Sequence, residues 1–349
     1  MTLTLNSAAA VLSEHNLLRE IINGDSWQLD TAHIDGVDTP FTNLTYDTRT
    51  VAPNTLLVCK GRFRPEFLDG IEERGLAAYV AESDLSSHTT KPGLIVNDAR
   101  KALSLLAAAF YDHPERDLTV IGITGTKGKT TTAYFTQSIL NTYSAGRCAL
   151  FSSVDNCLDG HTYAESDLTT PESLDAFRMM RQAVDNGMKY LVMEVSSQAY
   201  KVNRVYGLTF DVAAFLNISP DHISPIEHPT FEDYFHCKRQ IIANSRALVL
   251  GADCDHHDLL REDAKAAGER PTAAFPSSHV GISTVLMLLV WHSGNRRLLY
   301  VLLPFYVLLC LATVYIQAHY AIDALAGLVS GALLYVALMA VSRKMVTRQ

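Results

Sequence analysis

The chain has 349 residues, 48% of them hydrophobic, and a formal net charge of −8 at pH 7, which suits two or three domains and excludes a general affinity for nucleic acid. The charge is unevenly placed: residues 271–349 hold one acidic side chain, Asp323, against Arg296, Arg297, Arg343, Lys344 and Arg348, a balance of +4 that leaves −12 on residues 1–270. Six cysteines without C-x-x-C or zinc-ligand spacing point to buried, reduced thiols and away from metal binding by cysteine.

In chain order, the first 21 residues read as an amphipathic helix, because Glu14, Arg19 and Glu20 interrupt the apolar stretch that a secretory leader needs. Apolar runs at Thr55–Cys59 and Ala77–Ala81 predict strands and Ala99–Phe110 predicts a helix, so residues 1–115 are expected to form a small α/β domain. A boundary is expected at Asp112-His113-Pro114-Glu115-Arg116, where proline disfavours helix in the residue before it.

A strand at Leu118–Ile123 then runs into Gly125-Thr126-Lys127-Gly128-Lys129-Thr130-Thr131 and a helix-compatible segment, Thr132–Leu140. That order gathers backbone N–H groups and a helix N-terminus around a polyphosphate. Lys129 can reach the terminal phosphates and the Thr130 hydroxyl can bind magnesium. The G-x-x-x-x-G-K-T spacing would place glycine at 123, where this chain has Ile123, with Gly122 one position early. A glycine turn that merely joins strand to helix is the competing reading. Strands are also predicted at Tyr190–Val195 and Val212–Asn217. Ligands of open parallel sheets collect at the carboxyl ends of strands, so Glu194, Ser196, Asn217 and His222 are expected to face the phosphate loop's crevice. Glu194 and His222 are suitable magnesium donors; taken singly, each also reads as a solvated strand end or turn residue.

Read together, these segments resemble the Mur ligases of peptidoglycan synthesis. GTKGKTT is similar to their ATP loop, Thr169-Thr170-Pro171-Glu172-Ser173 to their muramyl-substrate loop, Met193–Tyr200 (MEVSSQAY) to the magnesium and substrate strand, and Asn217-Ile218-Ser219-Pro220-Asp221-His222 to their N-x-x-x-D-H turn. The segment from Asp221 to Gln240 resembles the lysine-adding branch. The resemblance implies an ATP- and magnesium-dependent ligase that activates the D-glutamate side-chain carboxylate of UDP-N-acetylmuramoyl-L-alanyl-D-glutamate and joins it to a diamino acid, L-lysine. It implies that Lys238 is carbamylated and helps hold magnesium, although alone Lys238 reads as a solvated helix lysine. It also implies uridine binding at Thr48, in Asp47-Thr48-Arg49, and muramyl-dipeptide contacts from Thr169, Thr170, Ser196 and Arg204. Val202 and Gln198 depart from the family pattern, where glutamine and histidine are frequent. The resemblance covers residues 1–268, expected to be cytoplasmic, with 116–268 as the ATP-binding domain. Residues 269–349 do not resemble the family's third domain, so a ligase left inactive by truncation and fusion is part of the expectation.

Three apolar segments come next, near Ala274–Trp291, Leu298–Ile316 and Ile322–Val341, each close to the ~20 residues that cross a bilayer. They predict an all-α transmembrane tail over residues 270–349, with the lipid bilayer as partner. Phe275-Pro276-Ser277-Ser278-His279 and His319-Tyr320-Ala321-Ile322-Asp323 resemble the C-terminal half of the type-2 phosphatidic acid phosphatases. That resemblance implies His319 as nucleophile, His279 as proton donor and Asp323 as orienting carboxylate in a lipid-phosphate phosphatase or phosphotransferase. The family's S-R dipeptide reads Ala312-Thr313 here, and the missing cation weakens phosphate neutralisation. The basic residues also put the tail and the ATP-dependent domains on opposite sides of a membrane. A membrane-tethered nucleotide-binding fragment without turnover is the third reading.

Overall fold

In the computed structural model the described residues are 3–24, 26–268, 278–315 and 328–336. They fall into two units, residues 1–269 and 270–349. The first unit opens with α1 (Leu5–Glu14), whose N-terminus is closed by a capping box in which Thr4 Oγ1 accepts from Ser7 N and Ser7 Oγ accepts from Thr4 N. The expected 21-residue helix is only half right. Asn16 takes a left-handed conformation (φ 55°), the chain reverses, and Leu18–Asn23 becomes strand β1. Pairing with a neighbouring strand overrides the helical periodicity of that stretch.

After β1 come β2 (Ser26–Gln28), β3 (Asn43–Thr45), β4 (Thr55–Val58), β5 (Leu76–Ala81), β6 (Gly93–Val96) and α2 (Ala99–Phe110). These strands form one sheet in the order β2-β1-β6-β5-β4-β3, parallel from β3 to β6 and antiparallel at β1 and β2. Helix α2 begins where predicted because Asp98 accepts from the Arg100 and Lys101 amides, both at 2.9 Å. Its apolar face, with Leu103 and Leu106, packs on Leu56, Val80 and Leu94.

The second sheet uses β7 (Thr119–Thr124), α3 (Lys129–Ser144), β8 (Cys148–Phe151), β9 (Asp155–Cys157), β10 (Tyr163–Glu165), α4 (Ser173–Asp185), β11 (Tyr190–Glu194), α5 (Ser197–Lys201), β12 (Val212–Phe215), α6 (Phe231–Ala243), β13 (Leu248–Leu250) and α7 (His257–Ala266). Its order is β10-β9-β8-β11-β7-β12-β13. Five strands are parallel, as the phosphate-loop reading expects. The edge is not: β9 and β10 form an antiparallel hairpin, which makes the sheet mixed. These strands are short, β10 is fully exposed and their link contains Gly160 at φ 80°, so no apolar run announces them.

Strand β7 lies between β11 and β12, with Glu194 opposite Ile123 and Phe215 opposite Thr124. The loop after β7 is therefore flanked by the ends of both neighbours. The two sheets share a continuous apolar core, reinforced where Ser104 Oγ donates to the Tyr206 carbonyl at 2.7 Å.

The second unit contains α8 (Ser278–His292), α9 (Arg296–Tyr315) and helical residues 328–336. Thr284 and Tyr306 hydroxyls meet at 2.7 Å, and His292 lies edge-on to Tyr335 with ring centroids 6.4 Å apart. Among the described residues no helix is long and apolar enough to cross a membrane, so the expected transmembrane tail and its bilayer partner are not supported. The 15 residues of α8 rise about 22 Å, short of the ~30 Å hydrocarbon layer, while α9 opens on two arginines and contains Pro304. His279 lies in α8, and His319 and Asp323 lie outside the described residues.

Candidate active site

Gly125 and Gly128 take backbone conformations that side chains resist, φ 150° and 84°. A Cβ on Gly125 would come within 3.0 Å of Leu216 Cβ, so the loop can press against the end of β12 only with glycine there. Gly122 has a different purpose: a Cβ there would lie 2.6 Å from the Phe210 ring, and the glycine serves packing behind β7. Ile123 is core, which explains the displaced glycine in the motif.

Asn217 holds the loop with both ends of its amide, its Oδ1 accepting from Lys127 N at 2.9 Å and its Nδ2 donating to Lys127 O at 3.1 Å. The Asn217 carbonyl also accepts from Thr126 N at 3.1 Å. Thr126 Oγ1 lies 3.0 Å from the Tyr234 hydroxyl on α6. The exposed Lys127 ammonium reaches Asp221 at 3.1 Å. Thr131 is exposed on the first turn of α3.

Thr130 Oγ1 donates to Glu194 Oε2 at 3.1 Å and lies 3.0 Å from Ser153 Oγ. Glu194 is fully buried, and its other oxygen accepts from Ser153 N at 2.9 Å and Ser153 Oγ at 3.2 Å. Among the described residues Glu194 has no ion pair with a basic side chain. Two hydroxyls and a carboxylate converge as hard oxygen donors, the chemistry that a magnesium ion takes.

Lys129 Nζ donates back to the Gly125 and Thr126 carbonyls at 3.0 and 3.3 Å, and burial lowers its pKa. Lys238, on α6, is also buried, donates to the Gly125 carbonyl at 2.9 Å and lies 5.0 Å over the Tyr234 ring. Burial first, and the Lys129 charge second, push its pKa down to about 7. A lysine in that state has a substantial neutral fraction at neutral pH, unlike the solvated lysine of the plain helix reading.

His222 is less tightly tied to the loop. It sits at φ 55°, its ring is exposed, and Nδ1 pairs with Glu227 Oε1 at 3.1 Å. Its ring centroid lies 6.2 Å from that of Tyr234, whose hydroxyl touches Thr126. Among the expected substrate contacts, Thr170 Oγ1 bridges the Glu194 carbonyl and Ser196, while Ser196 Oγ caps α5 by accepting from Ala199 N. Arg204 is held by Glu172 at 2.8 Å and by the Thr170 carbonyl at 3.2 Å. Thr169 is half-buried in the same turn. Thr48 borders a cavity of about 530 Å³ with Tyr46, Arg49, Lys60 and Phe63. A second cavity, of about 580 Å³, shares Tyr46 and extends past Glu172 and Arg178.

Sequence reasoning missed several members. Ser153 follows β8, so the rule that ligands gather at strand ends could have found it. Lys60 pairs with Glu172 at 2.7 Å across 112 positions, and no local signal reports it. Glu172 is pushed up by burial, yet hydrogen bonds and charge from Lys60 and Arg204 outweigh that and hold its pKa low. Gln198 Nε2 is buried without a hydrogen-bond partner, an orphaned donor of the kind that a ligand can satisfy.

Residues 123–279 match the Mur ligase middle domain. The phosphate-loop part of this chain is similar to a Mur ligase middle domain. The chain is 74% identical over 268 residues to a UDP-N-acetylmuramyl-tripeptide synthetase of Bifidobacterium longum, covering 77% of this chain and 52% of that protein. It is 49% identical over 266 residues to a UDP-N-acetylmuramoyl-L-alanyl-D-glutamate–L-lysine ligase of Enterococcus faecalis, covering 76% and 52%. The chain thus spans about half the length of the curated relatives it matches. A solved UDP-N-acetylmuramoyl-L-alanyl-D-glutamate–2,6-diaminopimelate ligase shares the fold with a TM-score of 0.59 at 20% identity, over 76% of this chain and 50% of that one. MurF from Acinetobacter baumannii shares it at 0.52 and 18% identity, over 78% and 53%. Residues 227–338 match the PAP2 superfamily, so the two matched regions overlap over 227–279. Residues 227–268 of that overlap, with α6 and α7, lie in the first unit with the phosphate-loop sheet, and Ser278 and His279 lie in α8 of the second.

Proposed function

We propose that residues 1–268 bind ATP and UDP-N-acetylmuramoyl-L-alanyl-D-glutamate and join the D-glutamate side-chain carboxylate to a diamino acid, L-lysine, in the cytoplasm. The observation that carries the reading is the contact between Thr130 Oγ1 and the buried Glu194 carboxylate at 3.1 Å, beside a loop closed by Lys129. The names of the relatives in Bifidobacterium longum and Enterococcus faecalis support the substrate class.

The backbone amides of Gly125 to Thr131 and the N-terminus of α3 would receive the phosphates, with Lys129 moving from its own loop carbonyls to the terminal phosphate. Magnesium held by Thr130 and Glu194, and by His222 through the family resemblance, would neutralise phosphate charge. Lys238 is suited to carbamylation: the neutral Nζ lone pair forms an N–C bond with carbon dioxide and releases a proton to solvent, which leaves an anionic carbamate as a further magnesium ligand. Thr169, Thr170, Ser196 and Arg204 would position the muramyl dipeptide and Thr48 the uridine. Rate enhancement on this reading comes from positioning the carboxylate, phosphate and amine.

The test is ADP release by the full chain supplied with MgATP, the UDP-muramyl dipeptide and L-lysine. The reading expects release that needs all three, together with the amide product. Nucleotide binding with no product would reduce the chain to a binding module. A second reading concerns residues 270–349 alone: lipid contact and phosphate-ester cleavage with His279, His319 and Asp323, favoured by the PAP2 match and by exposed Leu286, Trp291, Phe305 and Leu333. Phosphate release from phosphatidic acid that stops in His319→Ala would support it, and no release would end it.

A further inference from the structure

Beside α5 the structure gathers three metal-ligating side chains that the phosphate chemistry does not use. His228 is fully buried, with its ring edge-on to Tyr234 at 5.3 Å. Its Nε2 is engaged by Ser197 Oγ at 2.9 Å, which leaves Nδ1 as the atom that faces Asp233 Oδ2 at 2.6 Å. Asp233 and Cys237 stand one turn apart on α6 and so share a face. The donor atoms of His228, Asp233 and Cys237 all lie within 4.8 Å of one another.

Hydrogen bonds brace the segments that carry this cluster. Thr230 Oγ1 caps α6 by accepting from Asp233 N at 3.2 Å, and the His228 carbonyl accepts from Ser224 N at 2.9 Å. An outward hydrogen bond on the far imidazole nitrogen is the arrangement that fixes a ligating histidine's tautomer and direction. Burial, then the Asp233 charge, hold the Cys237 thiol up at about 11, so a cation would have to displace its proton.

We propose that His228 Nδ1, Asp233 Oδ2 and Cys237 Sγ form a binding site for a borderline-soft divalent cation of the zinc or cobalt class, with a fourth position left to solvent. Nitrogen, carboxylate oxygen and thiolate sulfur together are the donor set of such ions, and magnesium would not choose the sulfur. Binding replaces the thiol S–H by an S–metal bond and releases that proton, while the imidazole changes tautomer: the Nδ1–H facing the Asp233 carboxylate is lost and Nε2 gains a hydrogen that it donates to Ser197 Oγ, so that the Nδ1 lone pair meets the ion. It also parts Nδ1 from Oδ2, because donors ~2.0 to 2.3 Å from one tetrahedral ion sit farther apart than this pair does. Lys201 is the competitor: its ammonium pairs with Asp233 at 2.8 Å and must yield. No pairwise cysteine motif announces the site, because its donors come from a loop and a helix face. The proposal does not depend on the ligase reading.

Titration of the reduced full chain with cobalt(II), read by visible absorption, tests it. The expected result is a tetrahedral d–d spectrum with a thiolate-to-cobalt charge-transfer band at one equivalent. Cys237→Ser should abolish the charge-transfer band, and His228→Ala should weaken binding at least tenfold. Lys201→Met, which removes the competing ammonium, should tighten binding by about tenfold, a gain that a misfolded variant cannot mimic. A band that survives in Cys237→Ser, no band in the parent chain, or unchanged affinity in Lys201→Met would overturn the proposal.

Discussion

Lys129 and Lys238 donate to the same acceptor, the Gly125 carbonyl, at 3.0 and 2.9 Å. They come from different helices, Lys129 from α3, which the loop opens, and Lys238 from α6. Burial lowers the pKa of each, and at Lys238 repulsion from the Lys129 ammonium adds to that lowering. An anion arriving at the loop relieves this repulsion, so the arrangement favours polyphosphate by the charge it has gathered.

The depressed Lys238 pKa sets a stability trend with pH. Between about 7 in the folded chain and 10.5, the ordinary lysine value, the unfolded state binds the extra proton. Folding stability from this group therefore rises as pH rises through that window and is poorest below it. Lys238→Met removes the buried ammonium together with its bond to Gly125. The variant's stability relative to the parent should be most favourable near pH 6 and should decline towards pH 10. Denaturant melts at three pH values check this, and a difference independent of pH would contradict it.

Glu194→Gln keeps a hydrogen-bonding group beside Thr130 and Ser153 but deletes the negative charge. Calorimetry should show ATP binding that no longer strengthens when magnesium is added, with magnesium-free binding retained. Undiminished magnesium dependence would place the cation elsewhere.

Much of the first unit was legible because its signals are local. The helix at Ala99–Phe110 has an apolar face and an Asp98 cap, and the strand before the phosphate loop is a continuous apolar run. Residue type and strand order alone single out the loop from Gly125 to Thr131 and the end of β11, which the structure brings together. Residues 1–21 misled because Leu18–Asn23 continues the helical pattern, and only pairing with β6 makes it strand. Lys60 and the His228 cluster depend on tertiary approach and left no spacing to read, whereas Ser153 lies just past the end of β8, where the strand-end rule applies.

Gly122→Ala tests the packing account of the displaced glycine. Its Cβ would lie 2.6 Å from the Phe210 ring, so the strand or the ring must move. Overpacking of this kind costs about 1–3 kcal/mol. Adding Phe210→Leu should recover part of the loss in thermal melts; an equal loss with and without that second change would refute steric conflict.

Asn217→Ala removes both amide bonds to Lys127. At about 1 kcal/mol for each bond, the loop should loosen by roughly 2 kcal/mol. Faster hydrogen exchange at the Lys127 amide, with little change in α2, is the expected signature, and unaltered exchange at Lys127 would contradict the clamp.

The central claim is that polyphosphate and magnesium meet where Lys129, Thr130 and Glu194 converge, and its most direct measurement is MgATP binding by the full chain and its Lys129→Ala variant under identical conditions. The account predicts magnesium-dependent binding by the parent chain and at least tenfold weaker binding by the variant, a difference of about 1.4 kcal/mol or more. Equal affinity in the two chains would contradict it.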